Sequence, residues 1–150
     1  MDEHDRIAKM RRPYQLRARA DAMDRTRERI TQAAIQLHGS IGPAATTMSA
    51  VAERAGVTRA TLYRHFPNEE ILFRACSAEW RSANPSPDPA QWATITDPYD
   101  RLATALTALY NWYRSSEAMR ANLLRDLAVL PPAIRSAIES YPRTIADVLD

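Results

Sequence analysis

The spacing of apolar residues along the chain predicts a series of helices and no strands. Apolar side chains recur every three or four positions in several separate segments, and none of these segments alternates apolar and polar residues as a half-buried strand does. The first segment predicts a helix from near Thr26 to Leu37, ended by Gly39 and Gly42. Its predicted buried stripe consists of Ile30, Ala33, Ala34 and Leu37.

Three shorter helices are predicted next. Thr47 is suited to cap the first of them, and the second spans about residues 58–65. Asn68 is suited to cap the third, where Glu69 and Glu70 match the positive end of the helix dipole and the helix continues toward Trp80. The predicted buried residues are Met48, Val51, Ala52, Leu62 and Phe66, and the third of these helices carries the apolar residues Ile71, Leu72, Phe73 and Ala75.

The segment Ser82–Pro89 is the clearest boundary in the chain. It holds three prolines in eight residues, and a helix cannot continue through them. Helical spacing resumes at Asp97-Pro98, a capping residue followed by a proline at the first helical position. We therefore predict an arm at residues 1–23, a first helical domain at 24–81 and a second helical domain at 90–150.

The second domain is predicted to hold three helices. The first follows Asp97, the next spans about residues 116–129, and the last begins at Pro131-Pro132 and is interrupted at Tyr141-Pro142. Their predicted inward residues are Leu102, Ala105, Leu106, Leu109, Trp112, Tyr113, Met119, Leu123, Leu124 and Leu127. The whole pattern favours an all-α fold.

Residues 47–66, TMSAVAERAGVTRATLYRHF, have the spacing of a helix-turn-helix that docks on DNA. Ala52 is small where two helices pass closely, and Gly56, four residues later, permits the positive φ that the turn requires. Thr58 is suited to cap the second helix. Hydroxyl and basic side chains occupy the outward face of that helix, so the motif predicts a DNA-binding module.

The continuation of this motif, TLYRHFPNEEILF, resembles the end of the recognition helix in TetR-family transcriptional regulators. The resemblance extends over about Arg25–Arg81. It implies a three-helix DNA-binding domain with a helix-turn-helix, joined by a fourth helix to a C-terminal helical regulatory domain. It also implies a homodimer that represses transcription from a palindromic, double-stranded DNA operator and that a small ligand releases.

The same resemblance assigns roles to individual residues. Arg59, Ala60 and Thr61 align with base-reading positions, and the planar guanidinium of Arg59 suits guanine. Tyr63 and His65 align with phosphate contacts, which set affinity rather than specificity. The full predicted DNA-binding set is Thr47, Thr58, Arg59, Ala60, Thr61, Tyr63, Arg64 and His65. The alternatives are core packing for Tyr63, a solvated or capping role for His65 and a surface charge at Arg64.

One position departs from the family pattern. Many members carry a lysine in the turn after the His-Phe pair, where it contacts a phosphate, whereas this chain has Glu69 followed by Glu70. A carboxylate near a phosphate weakens binding. Three outcomes stay open: arginines of the arm compensate, binding is weaker, or the fourth helix starts farther from the DNA backbone.

The net charge of +2 is unevenly distributed along the chain. Residues 1–64 hold twelve basic and seven acidic side chains, a net charge of +5, whereas residues 65–150 hold eight and eleven, a net charge of −3. The positive excess therefore lies in the half that carries the motif, as binding to a polyanion requires. The arm either contacts phosphates or a minor groove, or is a disordered, solvated leader. Its basic residues are Arg6, Lys9, Arg11, Arg12, Arg17 and Arg19.

The aromatic residues of the second domain leave two interpretations open. They either line a pocket for a small apolar or aromatic effector or fill a helical core. The candidate ligand-binding residues are Tyr99, Tyr110, Trp112, Tyr113 and Met119, with Trp92 and Tyr141 as further aromatic residues. Family members usually continue beyond the point where this chain stops, so we expect an incomplete second domain. The alternative function is a shortened helix-turn-helix protein that binds DNA weakly or pairs with a relative, and that senses no ligand.

The sequence argues against an enzyme, a cofactor or a metal site. His4, His38 and His65 lie far apart, and no nucleophile elbow, phosphate loop or dinucleotide fingerprint is present. Cys76, the only cysteine, excludes an intrachain disulfide, and we expect it to be buried rather than nucleophilic. No apolar run is long enough to cross a bilayer, and the first twenty residues do not form a secretory signal. We therefore expect a cytoplasmic protein without membrane association.

Overall fold

The computed structural model describes the backbone of residues 3–150 and the side chains from Arg17 onward. This part of the chain forms eight α-helices and no strand, so the predicted all-α fold is confirmed. Short 3-10 turns at Pro43–Ala45 and Leu127–Val129 lie between helices. The helices are α1 (Glu3–Ser40), α2 (Met48–Ala55), α3 (Arg59–His65), α4 (Glu69–Ala83), α5 (Ala90–Ala93), α6 (Pro98–Ser115), α7 (Glu117–Arg125) and α8 (Pro132–Leu149).

Helices α1–α4 share one apolar core. Helix α1 packs against α2 and α4, and α2 packs against α3. The largest fully buried side chains are Phe66, Ile30, Leu62 and Val51, all of which the spacing places inward. In α4, Leu72 belongs to this core, whereas its neighbour Ile71 is 40% exposed. Consecutive residues of a helix point in different directions, and in α4 Leu72 faces the core while Ile71 lies toward solvent.

The first helix begins far earlier than predicted, at Glu3 rather than near Thr26. Residues 14–29 contain no glycine or proline and are rich in Arg and Ala, which are good helix formers, so nothing ends the helix there. The predicted disordered leader is therefore wrong for the backbone from residue 3 onward. Arg17 and Arg19 are exposed on this helix, while the side chains of Arg6, Lys9, Arg11 and Arg12 lie outside the described residues.

The second half follows the predicted boundaries with three differences. The predicted helix over residues 116–129 is α7 followed by a separate 3-10 turn. Helix α5 was not predicted, and its Trp92 is only 4% exposed. The predicted interruption at Tyr141-Pro142 is wrong, because α8 continues through Pro142. Proline removes one backbone donor from the helix, and the packing of α8 against α5 and α6 holds the remaining turns together.

Much of the predicted apolar stripe of α6 faces solvent. Asp97 caps this helix as predicted, accepting hydrogen bonds from the backbone N–H groups of Tyr99 and Asp100, both at 2.9 Å. Ala105 is buried, but Leu102 and Leu106 are 45% and 55% exposed. Apolar residues occupy two faces of α6, and only one face packs. The exposed face carries Tyr99, Leu102, Leu106, Tyr110 and Tyr113, and Leu124 of α7 is likewise exposed at 57%.

Candidate functional site

The turn between α2 and α3 has the geometry that the glycine and its neighbours predict. Gly56 adopts φ 64° and ψ 39°, a left-handed conformation that a residue with a Cβ rarely adopts. The N–H of Val57 donates to Ala52 O at 3.0 Å and closes the turn. Thr58 caps α3, because its hydroxyl oxygen accepts from the N–H of Thr61 at 3.1 Å. These local bonds fix the direction in which α3 leaves the turn.

Helix α3 is anchored on one side and free on the other. Leu62 and Phe66 are fully buried, whereas Arg59, Ala60, Tyr63 and Arg64 are exposed and Thr61 and His65 are half-buried. The guanidinium of Arg59 lies 5.9 Å from the centre of the Tyr63 ring, so the two side chains share one outward face. Because Tyr63 is 40% exposed, the alternative of core packing for this residue is wrong.

Thr47 lies at the start of α2, on the exposed surface. Its hydroxyl oxygen accepts from the N–H of Ala50 at 3.1 Å, as predicted for a cap. This bond uses an oxygen lone pair and leaves the hydroxyl hydrogen free to donate. A cap and a phosphate contact are therefore compatible at this position.

His65 differs from the other outward residues of α3. Its Nε2 atom is buried and has no hydrogen-bond partner among the described residues. Burial, and then the positive charges of Arg64 and Arg27, lower the pKa of His65 and favour the neutral ring. A phosphate contact from His65 would therefore use Nδ1 or require the ring to turn, and this role stays a prediction.

Arg27 is a residue of this site that the sequence pattern did not indicate. From α1, its Nη1 donates to the backbone oxygen of His65 at 2.9 Å, and its guanidinium lies 4.2 Å from the centre of the Phe66 ring. A cation at a helix C-terminus stabilises the free carbonyl groups there. Arg27 thus fixes the end of α3 on α1. Thirty-eight positions separate Arg27 from His65, and no local sequence signal indicates the contact.

Glu69, the departure from the family pattern, is exposed at the start of α4. Glu70 forms an ion pair with Arg74 at 2.6 Å, which offsets its charge locally. Among the described side chains Glu69 has no such pair. Its carboxylate therefore contributes an uncompensated negative charge beside the turn that follows α3.

A cavity of about 570 Å³ lies between α1 and α4 on one side and α6, α7 and α8 on the other. Three of the five predicted ligand-binding residues line it, namely Trp112, Tyr113 and Met119. Tyr99 and Tyr110 do not line it and are 83% and 72% exposed, so the structure does not bring them together with the other three. Trp92 is buried outside the cavity. The aromatic residues therefore divide between a cavity wall, a core and an exposed stripe.

His38 and Cys76 form part of the cavity wall where α1 meets α4. The Cys76 sulfur lies 3.5 Å from Nδ1 of His38, and the His38 ring stacks against Phe73 with centroids 4.8 Å apart. Burial lowers the pKa of His38 to about 4 and raises the pKa of the Cys76 thiol to about 12. Both groups are therefore neutral near pH 7, and the prediction that Cys76 is buried is confirmed.

Helix α7 joins this cavity to the turn that precedes α2. The side-chain amide of Asn122 donates to the backbone oxygens of His38 and Gly39 at 3.0 and 2.9 Å. Arg125 donates to Ile41 O at 2.9 Å, and Asp126 accepts from the N–H of Ala44 at 3.0 Å. More than eighty positions separate these partners in sequence, so the sequence pattern gave no indication of them.

Asp126 is held in its charged form at this junction. The side-chain hydrogen bond from Arg125 and then the backbone N–H of Ala44 lower its pKa. Gly42, at φ 91°, fits against both side chains, and a Cβ at this position would collide with Arg125 and Asp126. The end of α1 is therefore fixed to α7 by complementary shape as well as by hydrogen bonds.

Two classes of feature are absent from the described part of the chain. No three His, Cys, Asp or Glu side chains from Arg17 onward come together as metal ligands would. Within the described helices, none is both long and apolar enough to span a bilayer.

Part of the chain is similar to known proteins. Residues 30–76 match the family described as "Bacterial regulatory proteins, tetR family". The chain is 38% identical over 84 residues to the HTH-type transcriptional repressor KstR of Mycolicibacterium smegmatis, an alignment that covers 55% of this chain and 41% of that protein. It is 31% identical over 94 residues to an uncharacterized HTH-type transcriptional regulator of Mycobacterium tuberculosis, covering 63% of this chain and 46% of that protein. No solved structure matches the chain.

The alignments cover less than half the length of either relative, and the family match at residues 30–76 includes the helix-turn-helix. The local rules that shape this motif, a left-handed Gly56 and a capping Thr58, are met in the structure. Residues 30–76 therefore form a helix-turn-helix domain of the kind found in the TetR family of bacterial regulatory proteins.

Proposed function

We propose that the chain is a repressor that binds a palindromic DNA operator as a homodimer and is released by a small-molecule ligand. The main support is the division of α3 into an anchored face and a free face. A helix held by Leu62 and Phe66 that presents Arg59 and Tyr63 to solvent has what docking in a major groove requires. Repression is supported by the relative named as a transcriptional repressor.

DNA binding is tested by fluorescence anisotropy with a palindromic fragment taken from upstream of the chain's own gene. We expect binding that weakens steeply with salt, because arginine contacts to phosphates release counterions. A scrambled fragment of equal length and composition serves as the control. Equal affinity for both fragments would contradict operator binding. Weak binding at every salt concentration, without any ligand response, would instead favour the shortened interaction protein.

Support for a homodimer comes from the exposed apolar stripe of α6. Tyr99, Leu106 and Tyr110 are more than half exposed, and they recur at helical spacing on one face. Contiguous apolar surface of this kind marks interaction sites, and most soluble oligomers are symmetric dimers. Light scattering coupled to size exclusion at micromolar concentration tests the dimer. A monomer at every concentration would contradict it.

Release by a ligand is supported by the position of α7, which contributes to both the cavity and the junction with the DNA-binding domain. Met119 lines the cavity, and three residues farther along the helix Asn122 bonds to the end of α1. A ligand that displaces α7 would therefore move the segment that leads into α2. A compound that binds the folded state must also raise thermal stability, which gives the first screen.

Base preference and overall affinity are expected to depend on different residues of α3. Arg59→Ala should relax the preference at one position per half-site, because a bidentate arginine–guanine contact discriminates by about 1–3 kcal/mol. Tyr63→Phe keeps the ring and removes a phosphate donor, so it should weaken binding to all sequences alike. A binding-site selection on both variants measures this. An unchanged sequence logo for Arg59→Ala would contradict the first expectation.

Asn122→Ala is expected to uncouple the cavity from the DNA-binding domain. The change removes donors to two backbone oxygens at the end of α1, so we expect a loss of about 1–3 kcal/mol in the free energy of unfolding. We also expect ligand to change the operator affinity much less than in the wild type. Asn111→Ala, an exposed amide on α6, is the matched control. An unaltered ligand response in Asn122→Ala would show that α7 does not transmit it.

A further inference from the structure

Two arginines, Arg81 and Arg120, line the cavity, and neither forms an ion pair with a described acidic side chain. We propose that the cavity binds a small amphipathic carboxylate, with Arg120 holding the carboxylate and the apolar wall holding the rest. This inference rests on the proposed role of the cavity as an effector site, and it specifies the chemical class of that effector.

Arg120 is oriented by contacts that leave most of its donors free. Its guanidinium stacks on Trp112, 3.1 Å from the ring centroid, and its Nε donates to the Ser116 hydroxyl at 2.8 Å. The two terminal nitrogens have no acceptor among the described residues. Stacking leaves the edge of the guanidinium plane available, and that edge matches the two oxygens of a carboxylate.

The cavity wall supplies no negative charge. It contains Arg81 as well as Arg120, and no Asp or Glu lines it. Burial lowers the pKa of Arg120, which reports the cost of holding its charge away from water. An anion in the cavity would offset this cost, whereas a second cation would increase it. Charge complementarity therefore selects an anionic ligand over a cationic one.

The remainder of the wall selects an apolar body. Leu123, Ile134 and Ile138 contribute aliphatic surface from α7 and α8, and Phe73 contributes a ring from α4. His38, also in the wall, is neutral near pH 7 because burial lowers its pKa to about 4. The volume of about 570 Å³ lies within the range of small-molecule sites. The fitting ligand thus has one carboxylate and an apolar chain or ring system.

Decanoate and decan-1-ol are the probes, since they share a ten-carbon chain and differ in charge. Their dissociation constants are measured on the full chain by quenching of tryptophan fluorescence and by thermal shift. We expect decanoate to bind at least about tenfold more tightly than the alcohol, the gain typical of hydrogen bonds to charged groups. In Arg120→Gln, decanoate and decan-1-ol should bind with equal affinity. Arg143→Gln, which removes an exposed arginine outside the cavity, should keep the wild-type preference.

Arg120→Lys retains the positive charge but lacks the planar guanidinium, so its preference for decanoate over decan-1-ol should be intermediate. This variant separates the effect of charge from that of geometry, and it remains informative if Arg120→Gln folds poorly. Equal binding of decanoate and decan-1-ol to the wild type would overturn the inference, as would failure of both to bind. If decan-1-ol releases the chain from DNA and decanoate does not, the inference of a carboxylate ligand is wrong, but release by a ligand is retained. Operator binding is also measured without any ligand. A chain that does not bind the operator is thereby distinguished from one whose cavity does not bind a carboxylate.

Discussion

Replacement of Phe66 by alanine is expected to destabilise the DNA-binding domain by about 3–5 kcal/mol, the usual cost of truncating a fully buried phenylalanine. Phe66 has no exposed surface, and its ring lies between the domain core and the guanidinium of Arg27. Its N–H also donates to Leu62 O at 2.8 Å and ends α3. A small domain has only about 5–15 kcal/mol of stability, so much of it would be lost. Operator binding should fall with it, because the end of α3 loses its anchor.

Denaturant unfolding of matched variants measures this effect. Ile71→Ala removes an aliphatic side chain that is 40% exposed, five residues farther along the chain, and it should change the free energy of unfolding by no more than about 0.5 kcal/mol. Phe66→Leu retains much of the apolar volume but loses the stacking with Arg27. Its free energy of unfolding should therefore lie between those of Phe66→Ala and Ile71→Ala. Equal midpoints for Phe66→Ala and Ile71→Ala would show that Phe66 does not support the domain.

The helix-turn-helix could be predicted in detail because local rules determine it. The left-handed conformation of Gly56 and the caps at Thr47, Thr58 and Asn68 each depend on a few neighbouring residues. All four features have the predicted geometry. Where such rules were lacking the prediction failed, as at the start of α1, because nothing in residues 14–29 marks a helix boundary.

The second half could be predicted as helices but not as a packed arrangement. Helix α6 carries apolar residues on two faces, and the sequence does not indicate which face is covered. That ambiguity placed Tyr99 and Tyr110 in the pocket, whereas the structure places them at the surface. The polar contacts of α7 with the end of α1 were missed for a different reason. Asn122 and Asp126 are typical surface residues by composition, and only the three-dimensional fold brings them to their partners.

The contacts between α7 and the end of α1 join the two halves of the chain directly. The sequence boundary at Ser82–Pro89 indicated two domains connected by a linker. In the structure, α1 packs against α7 as well as against α2 and α4, so contact between the halves does not depend on the linker. His38 lies at this contact: its ring lines the cavity, and its backbone oxygen accepts from Asn122. A change in the charge of His38 would therefore act on the cavity and the junction together.

The stability of the protein is expected to fall by roughly 3 kcal/mol because of His38 as the pH drops from about 7 to about 4. Burial lowers the pKa of His38 from 6.5 to about 4 in the folded chain. Below pH 6.5 the unfolded chain binds a proton at this position that the folded chain does not bind, so unfolding is favoured. The loss grows through this window and levels off below a pH of about 4, where the folded chain is protonated too.

Urea unfolding of the wild type and of His38→Gln across this window isolates the effect from the titration of carboxylates, which both proteins share. Between a pH of about 7 and a pH of about 4, the free energy of unfolding should fall by roughly 3 kcal/mol less in His38→Gln than in the wild type. His65→Gln is the control, since it retains His38, and it should keep most of the wild-type slope. The pKa of His65 is also lowered, so its titration acts in the same direction. If His38→Gln and the wild type lose stability in parallel, burial does not hold the His38 ring neutral, and the ring would then become charged in the cavity below a pH of about 6.5.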